Sequence, residues 1–305
     1  MEVAFCGSSP LLYLTARQYA RFGARVTVLD TTPFAAKRAA LRDLAAAPAT
    51  LMKGIGHMLA LRRAGAAMHH GVTLLAFEGQ TSLRALRWRD RRGAEHQLRC
   101  DAAAYGHGLR PETQLAELAG CAMRYDPVQR QWFPEADAMG RAGDNVYVAG
   151  DGAAIGGAGA AAVSGRLAAM ALLADRGIAL DPGDLPARLA RQLRFQRGIA
   201  RAFAWPHAAI ASLDDATPIC RCESITAGEV RAALAVTIGA DEVNRMKAAT
   251  RCGMGRCQGR FCGAAAAELT AATRGRTDAP LDRLRAQAPV KPLALASAPV
   301  EEDWP

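Results

Sequence analysis

The feature that constrains this chain most is a crowd of cysteines toward its C-terminal end. Five of the eight lie between positions 220 and 262. Four fall into two short pairs, Cys220-Arg221-Cys222 and Cys257-Gln258-Gly259-Arg260-Phe261-Cys262, with 34 residues between them. If the pairs act jointly, the intervening chain must fold so that two loops converge. Thr226 three residues before Glu229 is a capping box, and it opens a helix carrying Val230, Ala233 and Leu234. A second helix is expected from Ala240, so residues 213–273 read as a helical hairpin, a small all-α domain that joins the two cysteine loops.

Thiolates are the ligands that iron and sulfide demand, and four of them close a [2Fe-2S] cluster. Structural zinc is the competing reading, although zinc favours CxxC knuckles and both pairs depart from that spacing. Cys252 stands as far before Cys257 as Cys257 stands before Cys262, so spacing leaves its role open. A buried free thiol is the bland alternative for Cys252, as for Cys6, Cys100 and Cys121. Gly253, Gly255, Gly259 and Gly263 would let backbone N–H groups approach an anionic cluster closely.

Composition limits what surrounds this site. At 305 residues, half hydrophobic and 22% charged, the chain is an ordinary globular protein with room for two or three domains. Residues 153–174 are Gly/Ala-rich and interrupted by Arg166, so no membrane span is expected. The first residues lack the basic start and apolar centre of a secretory signal, which predicts a cytoplasmic location and reduced thiols. The net charge of +9 comes from arginines spread along the chain, with only Arg87, Arg89, Arg91 and Arg92 in a tight group. Aromatics are 6%, too few for a stacking surface, so no nucleic-acid partner is expected.

The N-terminal part reads as strand, turn, helix, strand: an apolar run at 3–6, turn residues Gly7-Ser8-Ser9-Pro10, a helix over 11–22 and a strand over 24–29 closing on Asp30. Farther on, 52–63 reads as helix, 71–78 as extended, and 83–88 with 96–100 as a hairpin. The fold class is therefore α/β with a mostly parallel sheet. As a dinucleotide fingerprint the first turn is incomplete, supplying Gly7, Ser9 and Leu12, and Pro10 removes a backbone donor. Asp30 sits where a carboxylate would meet a ribose diol. Later, 145–149 reads as a strand, Gly150-Asp151-Gly152 as a turn, 157–174 as a small-residue helix and 184–202 as an arginine-rich surface helix. No nucleophile has a base beside it, and His57, His69, His70, His96, His107 and His207 read as solvated or core histidines, so no catalytic residue is assigned.

The run Thr250-Arg251-Cys252-Gly253-Met254-Gly255-Arg256-Cys257-Gln258-Gly259-Arg260-Phe261-Cys262, with Cys220-Arg221-Cys222-Glu223 before it, resembles the bacterioferritin-associated ferredoxin-like [2Fe-2S] domain. More narrowly, it resembles the form at the C-terminus of large subunits of flavin-dependent opine oxidases, hydroxyproline dehydrogenases and hydrogen cyanide synthases. That resemblance implies that Cys220, Cys222, Cys257 and Cys262 hold the cluster and that Cys252 does not. It implies FAD binding at Gly150, Asp151, Gly152 and Gly157, with Asp151 accepting from a ribityl hydroxyl. It also implies a Rossmann-like second nucleotide domain, in which Gly7 and Asp30 would meet NAD or another adenine nucleotide. His107, in Tyr105-Gly106-His107-Gly108-Leu109-Arg110-Pro111, resembles the crossover returning from that domain to the flavin domain.

The expected organisation is a Rossmann-like domain over 1–100, the returning half of an FAD-type domain with a helical linker over 101–212, the helical [2Fe-2S] domain over 213–273, and a flexible tail over 274–305. The resemblance implies an electron-transfer subunit of a multi-subunit FAD-dependent dehydrogenase or oxidase acting on the C–N bond of an amino acid or opine-like secondary amine. Its partner would be a smaller, glycine/D-amino-acid-oxidase-like flavoprotein. An NAD(P)H-dependent flavoprotein reductase and a non-enzymatic or truncated [2Fe-2S] binding module are the alternatives. Beside large subunits of this type the chain reads as short: it begins at the inserted nucleotide domain, the N-terminal GxGxxG part of the FAD domain is expected to be missing, and a sheet edge within 101–212 should be exposed or completed by another chain.

Overall fold

An apolar strand buried on both faces needs a layer on each side, and the first strand of this chain obtains both. The computed structural model describes residues 1–236, 241–277 and 280–291. Strands β1 (Glu2–Gly7), β2 (Arg25–Asp30), β3 (Ala67–His70) and β7 (Ala102–Gly106) form a parallel sheet in the order β3-β2-β1-β7. Side chains alternate across it. Val3, Phe5, Val26 and Val28 pack with Leu12, Tyr13 and Ala16 of helix α1 (Pro10–Arg21) and with Leu61 of helix α4 (Pro48–Arg63). Ala4, Cys6 and Leu29 point the other way, onto Leu86 and Trp88 of strand β5 (Ala85–Arg89). β5 is the centre of an antiparallel three-stranded sheet with β4 (Thr73–Glu78) and β6 (Glu95–Arg99). Burying Phe5 alone contributes about 2 kcal/mol.

Two connecting segments differ from the sequence reading. β3 goes unseen because Ala67-Met68-His69-His70 carries no alternating apolar signal; its backbone is recruited by pairing with Thr27–Asp30 of β2. The stretch after β2 forms two short helices, α2 (Phe34–Ala39) and α3 (Leu41–Leu44). The arginine-rich helix Leu185–Ala202 is more than a surface element, since it buries Leu185, Phe195, Gly198 and Ala202. At Gly198 the absent side chain admits Asp43 and Leu44, and Asp43 binds Arg194 and Arg201 of the same helix. One described helix, Gly157–Ala174, is long and apolar enough to cross a membrane by length and composition. Here it buries one face, Ala160, Val163, Leu167, Ala168 and Ala171, and Gln192 of the neighbouring helix lies over Gly159.

The chain divides into two compact units, 1–110 with 154–206 and 111–153 with 207–305. The second unit contains an antiparallel hairpin, Met123–Asp126 with Gln131–Pro134, and the cysteine segment. Arg130, at the hairpin turn, makes a bidentate pair at 2.7 Å with Glu268 of the helix Gly263–Thr273. The strand expected over 145–149 is reduced to Val146–Tyr147, paired with Arg141–Gly143 through a ladder whose register shifts between Arg141 and Gly143. Ala240, the expected start of the second helix in the cysteine segment, lies outside the described residues, as do 278, 279 and 292–305 of the expected tail. The remainder of that tail is not a free extension. Leu281 is buried, its carbonyl accepts from the Trp132 indole at 2.8 Å, and Arg283 pairs with Glu117 at 3.2 Å.

Candidate metal centre

In the second unit the cysteines are delivered by three short devices. Cys220 ends the strand Pro218–Cys220, which pairs with Ile225–Thr226, so the segment adds a small β-ribbon to its helices. Cys222 lies in the connecting turn, which Ser224 closes with a φ of 57°. The capping box is present as expected: the Thr226 side chain accepts from Glu229 N–H while the Glu229 carboxylate accepts from Thr226 N–H, and the helix Ala227–Ala235 follows. The helix Val243–Thr250 ends on Arg251 in the left-handed conformation, which turns the chain sharply into Cys252. Cys262 is the N-cap of the helix Gly263–Thr273, so its sulfur sits at the positive end of a helix dipole.

These devices gather five thiols in two groups. The sulfurs of Cys220, Cys252 and Cys262 lie within 4.8 Å of one another, and all three residues are buried. Cys222 is exposed and Cys257 half-buried, and the Cys222 side chain is close enough to favour the Cys257 thiolate. Burial opposes ionisation of Cys257, but backbone N–H groups of Phe261, Gly259 and Arg260 and the Cys222 side chain outweigh it and lower its pKa. Cys262 shifts upward, through its hydrogen bond with Cys252 and through burial. A pocket of soft thiol donors with amides aimed at one of them fits a thiolate-held cluster carrying negative charge. Oxygen-preferring cations are poorly served by such a donor set.

The glycines around the second cysteine loop have a steric role beside the expected one. A Cβ at Gly255 would stand 2.3 Å from the Cβ of Cys222, so this glycine is what lets the two cysteine loops meet. At Gly253, Gly259 and Gly263 the space is taken by the Leu284 side chain instead. Sequence reading missed Leu284 because nothing in a Pro/Ala-rich tail signals a plug; only the shared glycine face reveals it. Arg260 fastens the same segment by donating to the Val290 carbonyl at 2.7 Å and pairing with Glu112.

The outer rim is basic and partly aromatic. Arg221 and Arg256 are exposed and have no carboxylate partner among the described residues, whereas Arg251 is paired with Glu223 at 2.8 Å. Phe261 is 77% exposed beneath the Arg221 guanidinium.

The other expected site residues are spread between the two units. Asp151 sits in a one-turn 3₁₀ segment, Gly150–Gly152, and is partly exposed; Gly157 opens the helix Gly157–Ala174 in the other unit with a φ of 75°. Gly7 and Asp30 do not form the expected nucleotide cradle. The chain needs glycine at 7 because a Cβ there would lie 2.0 Å from the Gly106 carbonyl oxygen, the backbone of the adjacent strand. The N-terminus of α1 is already capped by Ser9 and begins with Pro10, and Ser8 is fully buried against the His107 ring, whose pKa burial lowers. His107 is thus a half-buried partner of Ser8 rather than a free loop residue.

Asp30 is fully buried and engaged on both oxygens. One accepts from Tyr13 Oη and pairs with Lys37 Nζ at 2.7 Å; the other accepts from Thr32 N–H at 2.8 Å and from the Thr32 hydroxyl. His70 Nδ1 stands 3.3 Å from the Tyr13 hydroxyl, and Lys37 lies over the Phe203 ring. Burial resists ionisation of Asp30, yet its hydrogen bonds with His70, Lys37 and Thr32 and the Lys37 charge outweigh it and hold the carboxyl at about 2. Burial and the Asp30 charge push Tyr13 upward. A carboxylate so occupied has nothing left to offer a ribose, so the residues present do not fit a dinucleotide. The missed signal was the cost of an unpaired buried carboxylate, which required a cation such as Lys37 nearby.

Residues 218–272 match the family of BFD-like [2Fe-2S] binding domains. Over nearly all of its length the chain is similar to curated proteins. It is 38% identical to an opine oxidase subunit of Agrobacterium tumefaciens (strain Ach5), across 96% of this chain and 60% of that protein. It is 28% identical to the HcnB subunit of hydrogen cyanide synthase from Pseudomonas protegens, across 97% of this chain and 66% of that one. The chain spans 57 to 64% of the length of the three opine oxidase subunits it matches. In fold it is similar to L-proline dehydrogenase from P. horikoshii, with a TM-score of 0.63 at 19% identity, covering 97% of this chain and 49% of that one. The resemblance read from the cysteine and Gly-Asp motifs therefore extends over most of the chain, and the α/β fold ending in a helical [2Fe-2S]-type domain is the one expected.

Proposed function

We propose that this chain is the electron-relaying subunit of an FAD-dependent oxidoreductase that acts on the C–N bond of an amino acid or opine-like secondary amine. The observation that carries this reading is the convergence of five thiols, with amides aimed at Cys257, inside the segment that matches the BFD-like domain. Cys220, Cys222, Cys257 and Cys262 are the proposed ligands. A [2Fe-2S] cluster supplies one-electron transfer when bound. The chain's own contribution is placement: Cys220 and Cys262 are sheltered, whereas Cys222 opens to the surface beside Arg221 and Arg256, the side from which electrons would enter or leave. Gly150, Asp151, Gly152 and Gly157 are the proposed FAD contacts, supported by the carboxylate-bearing turn after Val146–Tyr147 and by similarity to the opine oxidase subunit of Agrobacterium tumefaciens. The proposed ancestry divides the chain at 100, 212 and 273. Being similar to proteins named as subunits, it is proposed to work with a smaller flavoprotein that oxidises the substrate.

The NAD(P)H-reductase alternative loses its main support with the enclosure of Asp30. Iron and acid-labile sulfide in equal amounts, a visible absorption band and an EPR signal on reduction are expected of the anaerobically purified protein. Stoichiometric zinc in place of iron would overturn the cluster reading. Amine-dependent dye reduction by the chain with a co-expressed flavoprotein partner, lost on Cys257→Ser, tests the relay.

A further inference from the structure

The buried group holds one sulfur too many. A [2Fe-2S] cluster takes four thiolates, two on each iron. The exposed group, Cys222 with Cys257, offers two, whereas the buried group offers three: Cys220, Cys252 and Cys262. Cys252 is not there by accident of packing. It is fully buried, its backbone N–H is held by the Thr250 hydroxyl at 3.2 Å, and the left-handed turn at Arg251 aims it at the other two.

We infer that Cys252 is a reserve ligand for the buried end of the cluster, able to replace Cys262 or Cys220 but neither Cys222 nor Cys257. The inference rests on the cluster reading above and extends it to a residue that the family resemblance leaves out. Replacement is a ligand exchange without electron transfer: the Cys252 thiol gives its proton to solvent as its sulfur bonds iron in the place of the missing one. Because the three sulfurs already stand within 4.8 Å of one another, the exchange asks for side-chain rotation rather than a new backbone path. No comparable spare stands beside Cys222 and Cys257 among the described residues.

The test uses the full chain, purified anaerobically, with iron and sulfide content and the EPR spectrum of the dithionite-reduced protein as readouts. Cys252→Ala is expected to keep its iron. Cys262→Ala should keep most of it, with altered EPR g values, because a sulfur bonds from a different position. Cys257→Ala and the double variant Cys252→Ala/Cys262→Ala should each lose iron about tenfold or more. Loss of iron from Cys262→Ala as complete as from Cys257→Ala would overturn the inference, and so would loss from Cys252→Ala alone, which would make Cys252 a principal ligand. If Cys262→Ala fails to fold by circular dichroism, Cys262→Ser with and without Cys252→Ala decides the matter: iron kept equally in both overturns the inference, and iron lost only in the pair upholds it. Wild-type protein without iron would instead defeat the cluster reading itself.

Discussion

The knot around Asp30 and the cysteine pocket are both buried groups of polar side chains, and they are built on opposite principles. Around Asp30 each oxygen finds a donor from the chain itself, and a lysine balances the charge. The cysteine pocket gathers five thiols, which are weak hydrogen-bonding partners for one another and would fill space no better than valines. The first arrangement is complete as protein. The second makes chemical sense through a metal. A carboxylate at a strand end is therefore not by itself a ligand site, and what separates the two cases is whether the neighbours already satisfy the group.

Substitutions can break this contrast from either side. The largest effect is expected at Gly255→Ala, where the new Cβ would collide with Cys222 and force the two loops apart. Nearly all bound iron should be lost while the thermal transition of the first unit stays in place, as differential scanning calorimetry with parallel iron analysis would show. Next is Asp30→Asn, which leaves the half-buried Lys37 ammonium without its countercharge. A loss of about 3 to 5 kcal/mol is expected in urea denaturation of the first unit, with iron content unchanged. An equal loss of iron would mean that the two sites are not independent.

The pH dependence follows from the same carboxylate. Its folded pKa of about 2 lies below the ordinary carboxylate value, so Asp30 contributes stability that is complete above about pH 4 and disappears as pH falls toward 2. The contribution is about 2 kcal/mol, and acid titration of stability should be flatter over that window in Asp30→Asn. The smallest effect is expected at Thr226→Ala, which removes the capping box next to the cysteine ribbon. About 1 kcal/mol of stability should go, with the cluster spectrum intact; a changed spectrum would mean that the cap also positions Cys220.

Much of this was legible in the residues. The βαβ opening, the β5–β6 hairpin and the capping box are local patterns, and each stands where its period or spacing places it. The cysteine pairs were legible because thiol chemistry narrows so few residues to so few uses. Illegible were the features made by distant segments. β3 exists because β2 offers it an edge, Asp30 is enclosed by residues from α1, α2 and β3, and Cys252 joins Cys220 from 32 positions away. Spacing could not decide Cys252, since sequence distance says nothing about which loops meet.

Leu284 carries a consequence for the order of events during synthesis. It lies 22 residues after Cys262, and its side chain covers the glycine face of the cysteine loop. At translation rates of about 5 to 20 residues per second, the last of the thiols, Cys262, is made roughly one to four seconds before the residue that closes over their loop, and the others earlier still. Metal capture thus has a time slot written into the chain order, ahead of closure, and a variant that moved Leu284 upstream of the cysteines would put the door in place before the room is furnished.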